Sequence, residues 1–167
     1  MPTFEDAYSW LNIFVESGSP NMHLSFTANE LRGRIEALAG GPIVPILVLI
    51  NRIILFSEGS TDPFERAEIR LVCARSYFNL GYYNRALNQL DAAGKAYLSD
   101  SHNQAVVFWM TGCVLKVLGN NIEAIQLWQR SLDKFTTLAK SQHVQQRGAD
   151  WYQGRCIEMK VDINAVI

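Results

Sequence analysis

AEIRLVCARSYFNLGYYNRALNQLDAA, residues 67–93, places small and large apolar side chains where two short antiparallel helices would touch. Its skeleton is Ala74, Tyr77, Gly81, Tyr83, Ala86, Leu90 and Ala93. The same skeleton returns 38 residues later (119 minus 81), without slippage, as Gly112, Leu115, Gly119, Asn121, Ala124, Trp128 and Ser131. Small residues at the first and fifth positions let helix backbones approach closely. Gly81 and Gly119 can adopt the left-handed turn that ends a first helix, and the large residues fill the seam. The stretch is therefore one helix-turn-helix unit, used twice.

These residues resemble the tetratricopeptide (TPR) repeat family, whose pattern runs aromatic, Leu-Gly, Tyr, then Ala-x3-Phe. Phe108, Gly112, Leu115, Ala124 and Trp128 carry the pattern in the second copy; Ala74, Tyr77, Ala86 and Leu90 carry it in the first. Arg70 stands where the family has an aromatic, and Leu98 and Thr136 replace its closing proline. The period of 38 exceeds the family's length of about 34, which predicts that the second helix of the first copy runs long, through Lys95 to Leu98. The resemblance covers residues 62–138. It implies an all-α fold of antiparallel helix pairs stacked as a short right-handed TPR-like superhelix, seven to eight helices in all.

The remaining sequence is compatible with that architecture. A chain of 167 residues is long enough for one continuous core, and no segment sustains the two-residue alternation of a sheet. Phe4, Tyr8, Leu11 and Phe14 recur at helical spacing until Gly18-Ser19-Pro20 stops them. A second helix is expected over 28–39, with Thr27 or Ser25 as candidate N-cap and a stripe of Ala28, Leu31, Ile35 and Leu38; Gly40-Gly41-Pro42 ends it. IVPILVLINRIILF, residues 43–56, is too short to span a membrane and contains Asn51 and Arg52, so it reads as a buried helix with Pro45 in its first turn. A strand is the rival reading, but no partner strand is visible. The domain plan is thus 1–61, N-terminal helices compatible with a degenerate repeat; 62–138, the two TPR-like copies, opened by Asp62 as N-cap and Pro63; and 139–167, a capping helix or the start of a third repeat. In the last segment Trp151, Tyr152, Ile157, Val161 and Ile163 fall on apolar faces.

Composition narrows the function classes. Net charge is −1, without the basic excess of a nucleic-acid binder, although residues 1–31 hold Glu5, Asp6, Glu16 and Glu30 and no Lys or Arg. That end should carry an acidic field. Cys73, Cys113 and Cys156 form no CxxC and suit no simple disulfide framework; with no basic-then-apolar leader, a cytoplasmic protein is expected. His23, His102 and His143 lack second ligands at helical spacing, Ser19, Ser57 and Ser101 lack a nucleophile elbow, and no Gly-rich loop ends in Lys-Ser/Thr. The reading is of a non-enzyme with no cofactor and no metal.

Surface remains. The TPR resemblance implies that first helices line a concave side that receives peptides. Transferred position by position, the inward residues are Glu68, Leu71, Arg75, Phe78 and Asn79 in the first copy and Val106, Trp109, Cys113, Lys116 and Val117 in the second; Tyr152, Cys156 and Lys160 extend the row if Trp151 marks a third first helix. Flat aromatics beside cations are enriched at interaction hot spots, and an acidic peptide with an apolar anchor would suit them. The competing reading is structural: Trp109 or Phe78 fills a seam, and Arg75 pairs with Glu68 or the acidic first helix. The family's carboxylate clamp is not reproduced, because Leu71 and Met110 stand in its positions. The expectation is a protein–protein interaction module, the TPR-like part of a larger bacterial-type regulator, binding a peptide or partner protein. The alternative is a self-associating scaffold, a homo-oligomer through the terminal helix. Neither membrane nor nucleic acid is an expected partner.

Overall fold

The computed structural model of the chain describes residues 3–16, 30–31, 33–59, 62–97, 101–141 and 146–166. Among the described residues there are eight helices and no strand. They are α1 (Phe4–Glu16), α2 (residues 30–31 and 33–36), α3 (Ile43–Glu58), α4 (Pro63–Leu80), α5 (Tyr83–Ala96), α6 (Ser101–Val117), α7 (Asn121–Lys140) and α8 (Gln146–Val166). No helix among the described residues is long and apolar enough to cross a membrane. The chain divides into two compact units, Met1–Ala96 and Tyr97–Ile167. The division falls between the two copies of the hairpin.

In the first unit α1 packs on α3, α3 on α4, and α4 on α5. Ala7 and Leu11 of α1, Leu31 and Ile35 of α2, and Ile46, Leu49, Ile50 and Ile53 of α3 are buried, which removes their apolar surface from water. The Phe4 ring lies where a side chain on Gly41 would project, so glycine lets the turn after α2 sit close under α1. Arg52, the charge inside the apolar run, reaches back to α1. Its guanidinium donates to Asn12 Oδ1 at 2.6 Å and lies 3.6 Å from Glu16. Two of the N-terminal acids are thereby faced by cations, since Arg34 pairs with Glu30 at 2.9 Å. Of the four acids read from residues 1–31, Glu16 and Glu30 are thus partly offset.

The hairpins repeat bond for bond. Gly81 has φ +86° and Gly119 φ +87°. In the first copy Gly81 N–H donates to the Phe78 carbonyl and Tyr82 N–H to the Tyr77 carbonyl; in the second, Gly119 donates to Lys116 and Asn120 to Leu115. Each pair closes the end of a first helix by satisfying carbonyls that have no partner within it. The next helix then opens with Ala86 N–H on the Tyr82 carbonyl, and with Ala124 on Asn120. The 38-residue period is thus a repeat of backbone geometry as well as of side-chain size.

In the second unit α7 packs on both α6 and α8. Trp128 is buried at the position equivalent to Leu90, and Gly112 at the position equivalent to Ala74. A Cβ on Gly112 would overlap the Trp128 indole. As the filler grows from Leu to Trp, its neighbour shrinks from Ala to Gly. The Trp128 Nε1–H donates to the Trp109 carbonyl at 3.2 Å, and Ser131 Oγ to the Ala105 carbonyl at 2.7 Å, so these buried polar groups are satisfied across the helix seam. Met159 and Ile163 of α8 complete this core with Trp128.

Three expectations are corrected. α5 ends at Ala96 with Tyr97 already in a turn, so the helix passes Lys95 but does not continue unbroken to Leu98, which is outside the described residues. The helix over the apolar run is not buried all round: Val44, Val48 and Leu55 are 71%, 54% and 57% exposed. In α8, Ile157 and Val161 are 65% and 62% exposed, while Met159, absent from the expected apolar positions, is buried. The proposed caps Ser25 and Thr27, with Ala28, His23 and His143, lie outside the described residues.

Candidate functional site

The expected binding residues fall into both units, and each unit places its share differently. On α4, Leu71, Arg75, Phe78 and Asn79 recur at intervals of four, three and one and so lie along one side of the helix. Arg75 and Asn79 are exposed, whereas Leu71 and Phe78 are half-buried. Phe78 stands edge-on to Tyr83 across the hairpin, with centroids 5.6 Å apart. Arg75 and Asn79 line a shallow pocket of about 130 Å³ whose opposite wall is Ile35, Glu36, Leu38, Ala39 and Gly40. Within it Arg75 lies 3.8 Å from Glu36. The N-terminal part of the chain does face this cation, through a carboxylate that the sequence reading did not single out.

In the second unit Trp109 and Cys113 are half-buried and pack against the Trp128, Met159 and Ile163 core. The Arg155 guanidinium lies 4.9 Å from the Trp109 ring and 5.5 Å from the Trp151 ring, and is held by Glu158 at 2.9 Å. This cation between two indoles joins α6 to α8, a contact worth about 0.5–2 kcal/mol per ring. Tyr152 is half-buried among Trp151, Phe135 and His102, with centroids 5.2, 5.9 and 5.4 Å away. Lys116 and Lys160 are exposed, and the Lys116 ammonium lies 5.8 Å from the Trp128 centroid.

Neither Cys73 nor Cys113 is an activated nucleophile at neutral pH. Burial raises the Cys73 thiol to about 12, the nearby Arg70 charge opposing it only in part. Burial, then the negative charge of Asp162, raises Cys113 to about 11. A thiol is reactive as its thiolate, and both sites favour the neutral form. Among the described residues no group of three or more His, Cys, Asp or Glu side chains is arranged to hold a metal ion.

Sequence reasoning missed a second concavity. α3 and α5 both pack on α4 without packing on each other, and an open groove of about 530 Å³ lies between them. Val44, Leu47, Val48, Asn51 and Ile54 of α3 form one wall, Tyr77 of α4 the floor, and Arg85, Asn88 and Gln89 of α5 the other wall. Arg85 lies 5.9 Å from the Tyr77 ring and 5.5 Å from that of Tyr82. Burial, then the Cys73 charge, raises the Tyr77 phenol; Arg85 opposes them through its charge and a hydrogen bond. The signal was available in IVPILVLINRIILF, which has more apolar residues than one buried helix face can use.

The structure defines the class of the chain as all-helical, with a helical hairpin repeated at a fixed period and ended each time by a left-handed glycine. No protein-family model, curated protein or solved structure matches it.

Proposed function

We propose that the chain is a non-enzymatic interaction module of TPR-like design, in which a concave side lined by the first helices receives a peptide or partner protein and the hairpins stack as a short right-handed superhelix. The observation that carries this reading is the exposure of Arg75 and Asn79 on α4 and of Lys116 on α6, in helices whose opposite sides are packed into hairpins. Cations at these positions favour an acidic partner. Arg75 lies at the long limit of an ion pair with Glu36, which leaves its guanidinium available for exchange to a better carboxylate. The module would serve as part of a larger regulator in the cytoplasm.

The test is capture of partners by the wild-type chain and by Arg75→Glu/Lys116→Glu, followed by binding of the identified partner in purified form. Loss of binding with an unchanged melting curve supports the reading; retained binding refutes it. The purified partner at about 100 times its dissociation constant should raise stability by about 2.7 kcal/mol. A second reading, self-association through α8, is favoured by the exposed pair Ile157 and Val161, one helical turn apart. Under that reading Ile157→Lys/Val161→Lys converts a concentration-dependent mass in light scattering to the monomer mass.

A further inference from the structure

The groove between α3 and α5 is separate from the Arg75 surface, and its two walls differ in chemistry. Val44 and Val48 are exposed along one side. They stand one helical turn apart, about 6 Å at 1.5 Å per residue. Like-facing side chains of an extended chain repeat at about 6.6 Å, so two aliphatic groups of such a chain can contact both valines together.

The facing wall offers carboxamides. Asn88 is exposed, and Gln89 Oε1 is shielded from solvent with no hydrogen-bond partner among the described residues. An acceptor left in that state carries an uncompensated desolvation penalty, which a donor entering the groove would recover. A peptide N–H is such a donor. A helical ligand has already used its backbone donors internally, and a purely apolar ligand has none.

Arg85 supplies the groove's charge, and no carboxylate among the described residues forms an ion pair with it. Its contacts are the rings of Tyr77 and Tyr82 and a hydrogen bond to the Tyr77 hydroxyl, neutral groups that position the guanidinium without neutralising it. One cation is too few to retain a nucleic-acid backbone, for which several phosphates must be neutralised.

We propose that this groove binds an extended peptide segment carrying aliphatic side chains two residues apart and a neighbouring carboxylate, with the aliphatic groups on Val44 and Val48, a backbone N–H on Gln89 Oε1 and the carboxylate on Arg85. The inference goes beyond the proposed first-helix surface and uses none of its residues.

The test is selection of a displayed library of random linear peptides on the immobilised full chain, with the enriched peptides then measured by fluorescence anisotropy. The expected peptides place Asp or Glu beside aliphatic residues at alternate positions. Their affinity should fall about tenfold or more in Val48→Asp and in Arg85→Glu, and a fresh selection on Arg85→Glu should enrich Lys or Arg instead. Val48 and Arg85 are exposed, so both variants should keep the parent's helical circular dichroism and melting curve. No enrichment, or enriched peptides that bind Val48→Asp as well as the parent, overturns the proposal. So does sensitivity to Arg75→Glu with indifference to Arg85→Glu, which assigns the peptide to the first-helix surface. A dimer in sedimentation that Val48→Asp dissociates also overturns it, by making a second copy the occupant.

Discussion

Substituting Gly112 by alanine in the middle of α6 removes the flexibility of a helical glycine, and on an open helix this would stabilise the protein by about 1 kcal/mol. At Gly112 the opposite is expected. The new methyl would overlap the Trp128 indole, whose Cε2 lies 3.1 Å from the ideal Cβ position. Trp128 is 1% exposed and packs against Met159 and Ile163, so the ring cannot swing out into solvent. Overpacking of this kind costs about 1–3 kcal/mol. Displacement of the ring also strains the 3.2 Å hydrogen bond from its Nε1–H to the Trp109 carbonyl, worth about 1 kcal/mol net. Once the propensity gain is subtracted, Gly112→Ala should destabilise by about 2 kcal/mol, and Gly112→Leu by more. Trp128→Leu alone leaves a void and should cost about 3 kcal/mol. The double variant Gly112→Ala/Trp128→Leu recreates the Ala74 and Leu90 combination of the first copy. It should lose less than the sum of the singles, with a coupling of about 1–3 kcal/mol. Urea unfolding followed by circular dichroism measures all four species without relying on tryptophan emission. A Gly112→Ala variant about 1 kcal/mol more stable than the parent, or strictly additive substitutions, would refute the pairing of glycine with indole.

Gly154 lies within α8 with nothing within 4 Å of its ideal Cβ, so Gly154→Ala should raise stability by about 0.5–1 kcal/mol in the same urea assay. Gly119→Ala, at φ +87°, should instead lower it by about 1–2 kcal/mol. Trp109→Ala should cost about 3 kcal/mol through lost packing on Met159 and Ile163; a loss below 0.5 kcal/mol, within the about 0.5 kcal/mol usual for exposed sites, would return Trp109 to the role of a free anchor. Cys73 ionises at 9.0 when unfolded and at about 12 when folded, so between these values the folded chain holds a proton that the unfolded chain has released. Stability should therefore be fully present below pH 9 and fall as pH rises toward 12, less steeply in Cys73→Ala, as read from the urea midpoint against pH. At neutral pH a disulfide-exchange reagent should reach the half-buried Cys113 before Cys73, which is buried and should react only through unfolding.

The amino-acid sequence by itself determined the helical class and the hairpin, because these depend on local rules. A left-handed turn needs Gly81 and Gly119, a close helix contact needs Ala74 or Gly112, and a period of 3.6 residues sets which side chains share a face. The ends of helices at Gly40-Gly41-Pro42 and at Asp62-Pro63 were legible for the same reason. What the tertiary structure decided is which of several apolar faces is covered. Val44 and Ile46 are chemically alike, yet one is 71% exposed and the other buried, since α4 packs on one side of α3 and α5 does not close over the other. Trp109 read equally well as an anchor or as filler until α8 placed Arg155 between indoles and Met159 against Trp128. Arg75 faces Glu36, nearly 40 residues away in the chain, because the packing of the first unit brings α2 beside α4. Local periodicity assigns a residue to a face of its own helix; only the neighbouring helices determine whether that face meets protein or water.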